Sequence, residues 1–184
     1  TNNRVEVING AYASASHLIM AITADTSDSK LLISGSASKF ALTGVNGNDG
    51  AQSHVGRAGD NNLFRIENGA VVEGNNRIVL GAQSTSTNNK VEIVNGSLSG
   101  TGVEIYQQGN VLLTNGTLDL IQWFDDDLET YKGGGILAKN PLATFTFNSG
   151  TIKSVNADVT NSAPFAVGTG GATPATYFMR TDQA

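Results

Sequence analysis

The chain contains no cysteine, and this removes a disulfide framework, thiolate metal sites and a cysteine nucleophile together. Charge is also scarce. Eleven basic residues stand against sixteen acidic ones, and the basic residues are scattered singly rather than grouped in a stripe. Without such a stripe there is nothing to displace counterions from phosphate, so a nucleic-acid partner is not expected. No apolar run approaches the roughly 20 residues that span a bilayer, so this segment is not expected to insert into a membrane. The start at Thr1, with no charged and apolar leader, is read as the edge of a segment of a longer protein.

What is abundant is glycine, 22 residues of 184, together with Ser, Thr and Asn, with Val, Ile and Thr recurring at short intervals. Disordered chains carry high net charge and few β-branched residues, so this composition points to ordered β structure. No shift in composition divides the chain, and residues 1–184 read as a single domain.

A unit recurs. Residues 88–96 run Asn-Asn-Lys-Val-Glu-Ile-Val-Asn-Gly, with relatives at 2–10, 61–69, 110–116 and 144–150. Five positions before the closing glycines stand Val5, Phe64, Val91, Val111 and Phe145. Three before stand Val7, Ile66, Ile93, Leu113 and Phe147, and two after stand Tyr12, Val71, Leu98, Leu118 and Ile152. Period-two alternation marks a strand with one buried face, and its return in constant phase marks a structural repeat. A degenerate copy at 30–36 has Leu31 and Ile33, one step out of phase with Gly35.

The closing glycines are unevenly spaced, with 27 residues from Gly69 to Gly96, 20 to Gly116 and 34 to Gly150. A β-solenoid tolerates this, because a loop swells at a corner without disturbing the stacked strands. A third alternation in each rung is read at Ile78/Leu80 and Val103/Ile105, and more loosely at Leu18/Met20 and Phe40/Leu42. The expected architecture is all-β, a parallel β-helix of about six to seven rungs with two long loops on one side, roughly 30 Å tall. Asn-Gly is also the strongest hairpin signal, so an antiparallel sandwich is the rival. In the solenoid, Asn9, Asn68, Asn95 and Asn115 are expected to stack as an amide ladder.

These repeats, with the later segment Phe-Thr-Phe-Asn-Ser-Gly-Thr-Ile-Lys-Ser from Phe145 and Ala-Pro-Phe-Ala-Val-Gly-Thr-Gly-Gly-Ala-Thr from Ala163, resemble those of bacterial autotransporter passenger domains and autotransporter-associated β-strand repeat proteins. The resemblance implies a right-handed parallel β-helix, secreted or at the bacterial cell surface. There it would act as a non-catalytic structural or adhesin-type passenger module meeting a host or matrix glycan or protein. No translocator barrel is visible in the sequence.

Two excursions interrupt the repeat. Residues 44–60 hold His54 and Arg57, and residues 123–140 hold Trp123, Asp125, Asp126, Asp127, Tyr131 and Lys132. Both are expected between the third strand of one rung and the first of the next, about three rungs or roughly 14 Å apart, walling a groove suited to an extended saccharide or peptide. Trp123 with Tyr131 would form a stacking platform for a sugar ring; alternatively, Trp123 packs a local mini-core with Phe124 and Leu128. The acidic run offers calcium its preferred oxygen ligands but lacks the spacing of an EF-hand, and a solvated acidic turn accounts for it equally.

Polysaccharide lyases and glycosidases use this fold, so a carbohydrate-cleaving module is the alternative, with Arg57 or Lys132 beside residues 125–127. No motif pairs these residues, and the reading that favours no enzyme follows from that. His17 reads as structural. Open strand edges make end-to-end self-association into a filament a further alternative.

Overall fold

The computed structural model describes residues 2–44, 51–125, 130–133, 135–156, 166–169 and 176–179, with the backbone alone for 122–125, 130–133, 154–156, 166–169 and 176–179. It is a parallel β-helix. Sheet one stacks β1 (Arg4–Ile8), β3 (Lys30–Ser34), β6 (Leu63–Glu67), β9 (Lys90–Val94), β12 (Asn110–Thr114), β16 (Thr144–Phe147) and β19 (Thr176–Met179). Sheet two stacks β2 (Tyr12–Ala15), β4 (Lys39–Leu42), β7 (Val71–Gly74), β10 (Ser97–Gly100), β13 (Gly116–Asp125) and β17 (Gly150–Asn156). Sheet three stacks β5 (Gln52–Val55), β8 (Arg77–Leu80), β11 (Gly102–Ile105), β15 (Gly135–Ala138) and β18 (Ala166–Thr169), and Ile19 bridges to His54 beyond β5. Seven strands in sheet one make six steps of roughly 4.8 Å, about 29 Å of column.

The register carries out what the alternation dictates. Val5, Leu31, Phe64, Val91, Val111 and Phe145 form one column of stacked positions, and Val7, Ile33, Ile66, Ile93, Leu113 and Phe147 form the next. Sheet two contributes Phe40, Val72, Leu98 and Leu118, and sheet three contributes Ile78, Val103 and Ile136 with Leu80 and Ile105, so all three sheets share one core. At the β1 end Val5, whose later equivalents are buried, is 58% exposed because no rung covers it there, whereas Tyr12, 64% exposed, stands in the outward column of Lys39, Val71 and Ser97.

The hairpin rival fails on strand direction. Among the described residues every strand pair is parallel except β13 with β14 (Thr130–Gly133), where Gln122–Asp125 run antiparallel to it as a short arm. Asn-Gly makes corners instead. Asn9, Asn68, Asn95 and Asn115 all take left-handed backbone angles, φ between 50° and 56°, which asparagine accepts more readily than other side-chained residues. In β3's rung Gly35, φ 104°, takes the asparagine's place, which explains the shifted phase of that copy.

The amide ladder lies elsewhere than expected. The corner asparagines are exposed, and their side chains bond to hydroxyls, Asn68 Nδ2 donating to Ser34 Oγ at 3.1 Å and Asn115 Oδ1 accepting from Ser149 Oγ at 2.7 Å. The buried ladder belongs to the opening asparagine pair. Asn62 Oδ1 accepts from Ser29 N at 3.0 Å, and Asn89 Oδ1 accepts from Asn62 N at 3.0 Å and Asn62 Nδ2 at 2.9 Å. Both asparagines are fully buried, where an unpaired backbone N–H would be costly.

Two strand assignments from the sequence are corrected. Phe40/Leu42 belong to sheet two, stacked between Ala13/Ala15 and Val72/Gly74, and the third strand of that rung is β5, inside the first excursion. The second excursion likewise contains a rung strand, β15. Polarity hid β5, since Ser53 occupies the inward position that Ile78 and Val103 fill above it.

Candidate functional site

His54 lies on β5 and Arg57 just beyond it, so neither belongs to a loop facing the acidic run. The longer connections leave from a different corner than expected. Residues 43–51 join β4 to β5, and the β13–β14 arm joins sheet two to β15, so both cross from sheet two to sheet three, three rungs apart. Between them that corner is crossed only by Asn75 and Asn76 in one rung and Thr101 in the next. The turns are tight because glycine precedes them. A Cβ on Gly74 would sit 2.1 Å from Leu42 O, and one on Gly100 would sit 2.6 Å from Asn76 O.

On the arm, the register sets Trp123 opposite Lys132 and Phe124 opposite Tyr131, with Asp125 opposite Thr130. Asp126 and Asp127 lie outside the described residues, and with them the calcium reading. Among the described residues no group of three His, Asp or Glu is placed to hold a metal ion. Arg57 is at the corner from sheet three to sheet one, across the width of sheet three and three rungs from the arm. The structure therefore does not bring Arg57 to Asp125.

Beside the short turns, the outer face of sheet three holds a shallow cavity of about 140 Å³ that no motif announced. Gly102 and Gly135 are adjacent in register and supply backbone but no side chains to its floor. Arg77 stands on one side, in register with Gly102, and Leu137 and Thr101 stand on the others. Glu104 is 9% exposed although it is on the outer face, because Arg77 Nη1 donates to its Oε1 at 3.1 Å and Tyr106 OH donates to its Oε2 at 3.0 Å. Burial and the neighbouring carboxylate push the Tyr106 phenol above its ordinary value, so it keeps the proton it donates.

Farther along this face, His54, Val79 and Glu104 occupy one column of register. Burial pushes the His54 imidazole below its ordinary 6.5, with Arg57 acting in the same direction and Glu104 opposing. Its Nδ1 is buried without a partner among the described residues. The strip thus carries one neutralised ion pair, a phenol and a neutral imidazole. Such a set offers hydrogen-bond donors and acceptors side by side with little net charge.

Two other concavities are simpler. A pit of about 250 Å³ at the β1 end is lined mainly by apolar side chains, including Leu18, Met20, Leu31 and Phe40. A polar hollow of about 360 Å³ on sheet one lies where Leu63 separates Lys30 from Lys90. No family model, curated protein or solved structure matches the chain.

Proposed function

We propose that this chain is a non-catalytic β-helical structural or adhesin-type module, secreted or displayed at a bacterial cell surface. The observation that carries the reading is the stack itself: seven strands of sheet one run in register, the first six holding two apolar columns, and polar side chains are spent on joining rungs. Arg65 bridges Glu67 and Glu92, Lys39 pairs with Glu73 and Lys153 with Asp119. Such a column is stabilised rung by rung through nearest-neighbour contacts, which suits a rigid spacer. The autotransporter-like repeats supply the cellular setting. Protease shaving of intact producing cells tests it: release of fragments of this chain is expected, and its recovery only from the cytosol would overturn the assignment.

Carbohydrate binding is the second reading, favoured by the Arg77–Glu104–Tyr106 cluster on the outer face of sheet three. Cleavage is the finer alternative within it. Release of new reducing ends from a polysaccharide by the purified chain would replace the non-catalytic reading with a catalytic one.

A further inference from the structure

We infer that the strip on the outer face of sheet three, centred on the notch over Gly102 and Gly135, binds an uncharged, extended glycan lying along the column axis. This rests on the carbohydrate reading and specifies its site and ligand class.

Three features point there. The first is the pairing of polar groups. Glu104 accepts from Arg77 and Tyr106 and so holds both side chains in place, while Arg77 Nε and Nη2 have no partner among the described residues. A guanidinium with free N–H groups beside a carboxylate presents adjacent donors and acceptors, the pattern that two neighbouring hydroxyls of a sugar satisfy. The cluster is assembled before any ligand arrives, so little side-chain freedom remains to be lost on binding.

The second feature is the floor. Gly102 and Gly135 line the notch with backbone alone across two rungs, Gly102 buried at its base and Gly135 partly open, with Val103 and Leu137 also lining it. No core side chain crowds Gly102, but its φ of 159° and a Cβ that would sit 3.3 Å from Gly135 O both favour glycine there, and any side chain would enter the notch. The rung repeat, roughly 4.8 Å, is close to the length of one pyranose ring, so a linear glycan along the axis meets about one rung per sugar.

The third feature is charge. The ion pair is internally neutral, His54 is held neutral near pH 7, and the chain carries −5 overall. An acidic polysaccharide would meet this field unfavourably, whereas a neutral one does not. The same field separates this strip from the Lys30–Lys90 hollow, where two amines flank the space.

The test uses the full chain and titrates cello-, manno- and xylohexaose, with an oligogalacturonate as the anionic comparison, by calorimetry. The variants are Arg77→Met, Glu104→Gln and Gly102→Val, with Lys39→Met on sheet two as the distant control and thermal melting as the check of folding. The wild type should bind at least one neutral hexasaccharide. Arg77→Met and Gly102→Val should each weaken it about tenfold or more, as expected where bound hydroxyls lose their partners, and Lys39→Met should leave it unchanged. Should Glu104→Gln or Gly102→Val not fold, Arg77→Met decides. Equal binding by all the variants would overturn the site while leaving carbohydrate binding, with the Trp123 arm next to be tested. Preference for the oligogalacturonate would overturn the ligand class, and no binding by the wild type would remove the carbohydrate reading as well.

Discussion

Replacing Asn89 by alanine is predicted to be among the most costly single polar changes in this chain. The Asn89 amide makes four hydrogen bonds in a fully buried position: its Oδ1 accepts from Asn62 N and Nδ2, and its Nδ2 donates to Ser86 Oγ at 2.9 Å and Gly59 O at 3.2 Å. Space for it is provided by Gly56, where a Cβ would fall 2.0 Å from Asn89 Oδ1. After truncation Asn62 Nδ2 keeps Gly59 O and Asp60 O, and Ser86 Oγ keeps Gly59 O. Asn62 N keeps nothing. An orphaned buried donor costs about 1–3 kcal/mol and each of the three further lost bonds about 1 kcal/mol, so the total is about 4–6 kcal/mol. That is a large fraction of a typical domain's stability. Asn95 is the internal comparison. It is exposed, and its role is backbone conformation at φ 55°, so Asn95→Ala should cost about 1–2 kcal/mol, and Asn95→Gly much less. Guanidinium unfolding followed by far-ultraviolet circular dichroism measures all three. A cost for Asn89→Ala below that of Asn95→Ala would refute the buried-ladder reasoning.

Three further outcomes follow from the same geometry. Ile93→Ala, at a fully buried position in the second core column, should lose about 2–5 kcal/mol in the same unfolding assay. His54 has its folded-state pKa below 6.5, so as pH falls below 6.5 the unfolded chain gains a proton that the folded chain resists. Wild-type stability should therefore decline with acidification through that range more steeply than that of His54→Gln, and an imidazole NMR titration midpoint below 6.5 should accompany it. Arg65→Met, removing the outer bridge to Glu67 and Glu92, should cost no more than about 1 kcal/mol and less at high salt, because the arginine is substantially exposed.

How much of this was legible in the sequence depended on whether a residue obeys the local alternation or a partner in another rung. Val91 and Ile93 announce their strand alone, and their copies announce the stack. Leu31 was readable although its glycine was displaced, since the apolar period of two outlasts a change at the corner. β5 was hidden because Ser53 stands inward and His54 outward, leaving no apolar alternation to see. The Arg77–Glu104 pair was hidden for a different reason: its members are 27 residues apart and belong to no motif. Yet Arg65–Glu92 and Asn62–Asn89 share that separation, and so do Gly69 and Gly96. Residues one repeat period apart are lateral neighbours in a solenoid, so laying the two rungs side by side would have exposed the pair. The sequence offers two sets of asparagines for an amide ladder, those closing the motif, which it favours, and those opening it, which form the ladder. Both sets flank strands, and only burial distinguishes them.

The central claim is parallel stacking in this register, and the absence of cysteine makes it directly measurable. Glu92 and Leu112 are register partners on the outer face of sheet one, whereas Leu32 and Glu92 are separated by Arg65 and two rungs. Adjacent parallel strands set Cα atoms roughly 4.8 Å apart, within disulfide reach, and two rungs double that distance beyond it. In the double variant Glu92→Cys/Leu112→Cys, oxidation should form the disulfide readily in the native protein, and Leu32→Cys/Glu92→Cys should remain as free thiols. Failure of the first pair to close, or closure of the second at a comparable rate, would contradict the stack.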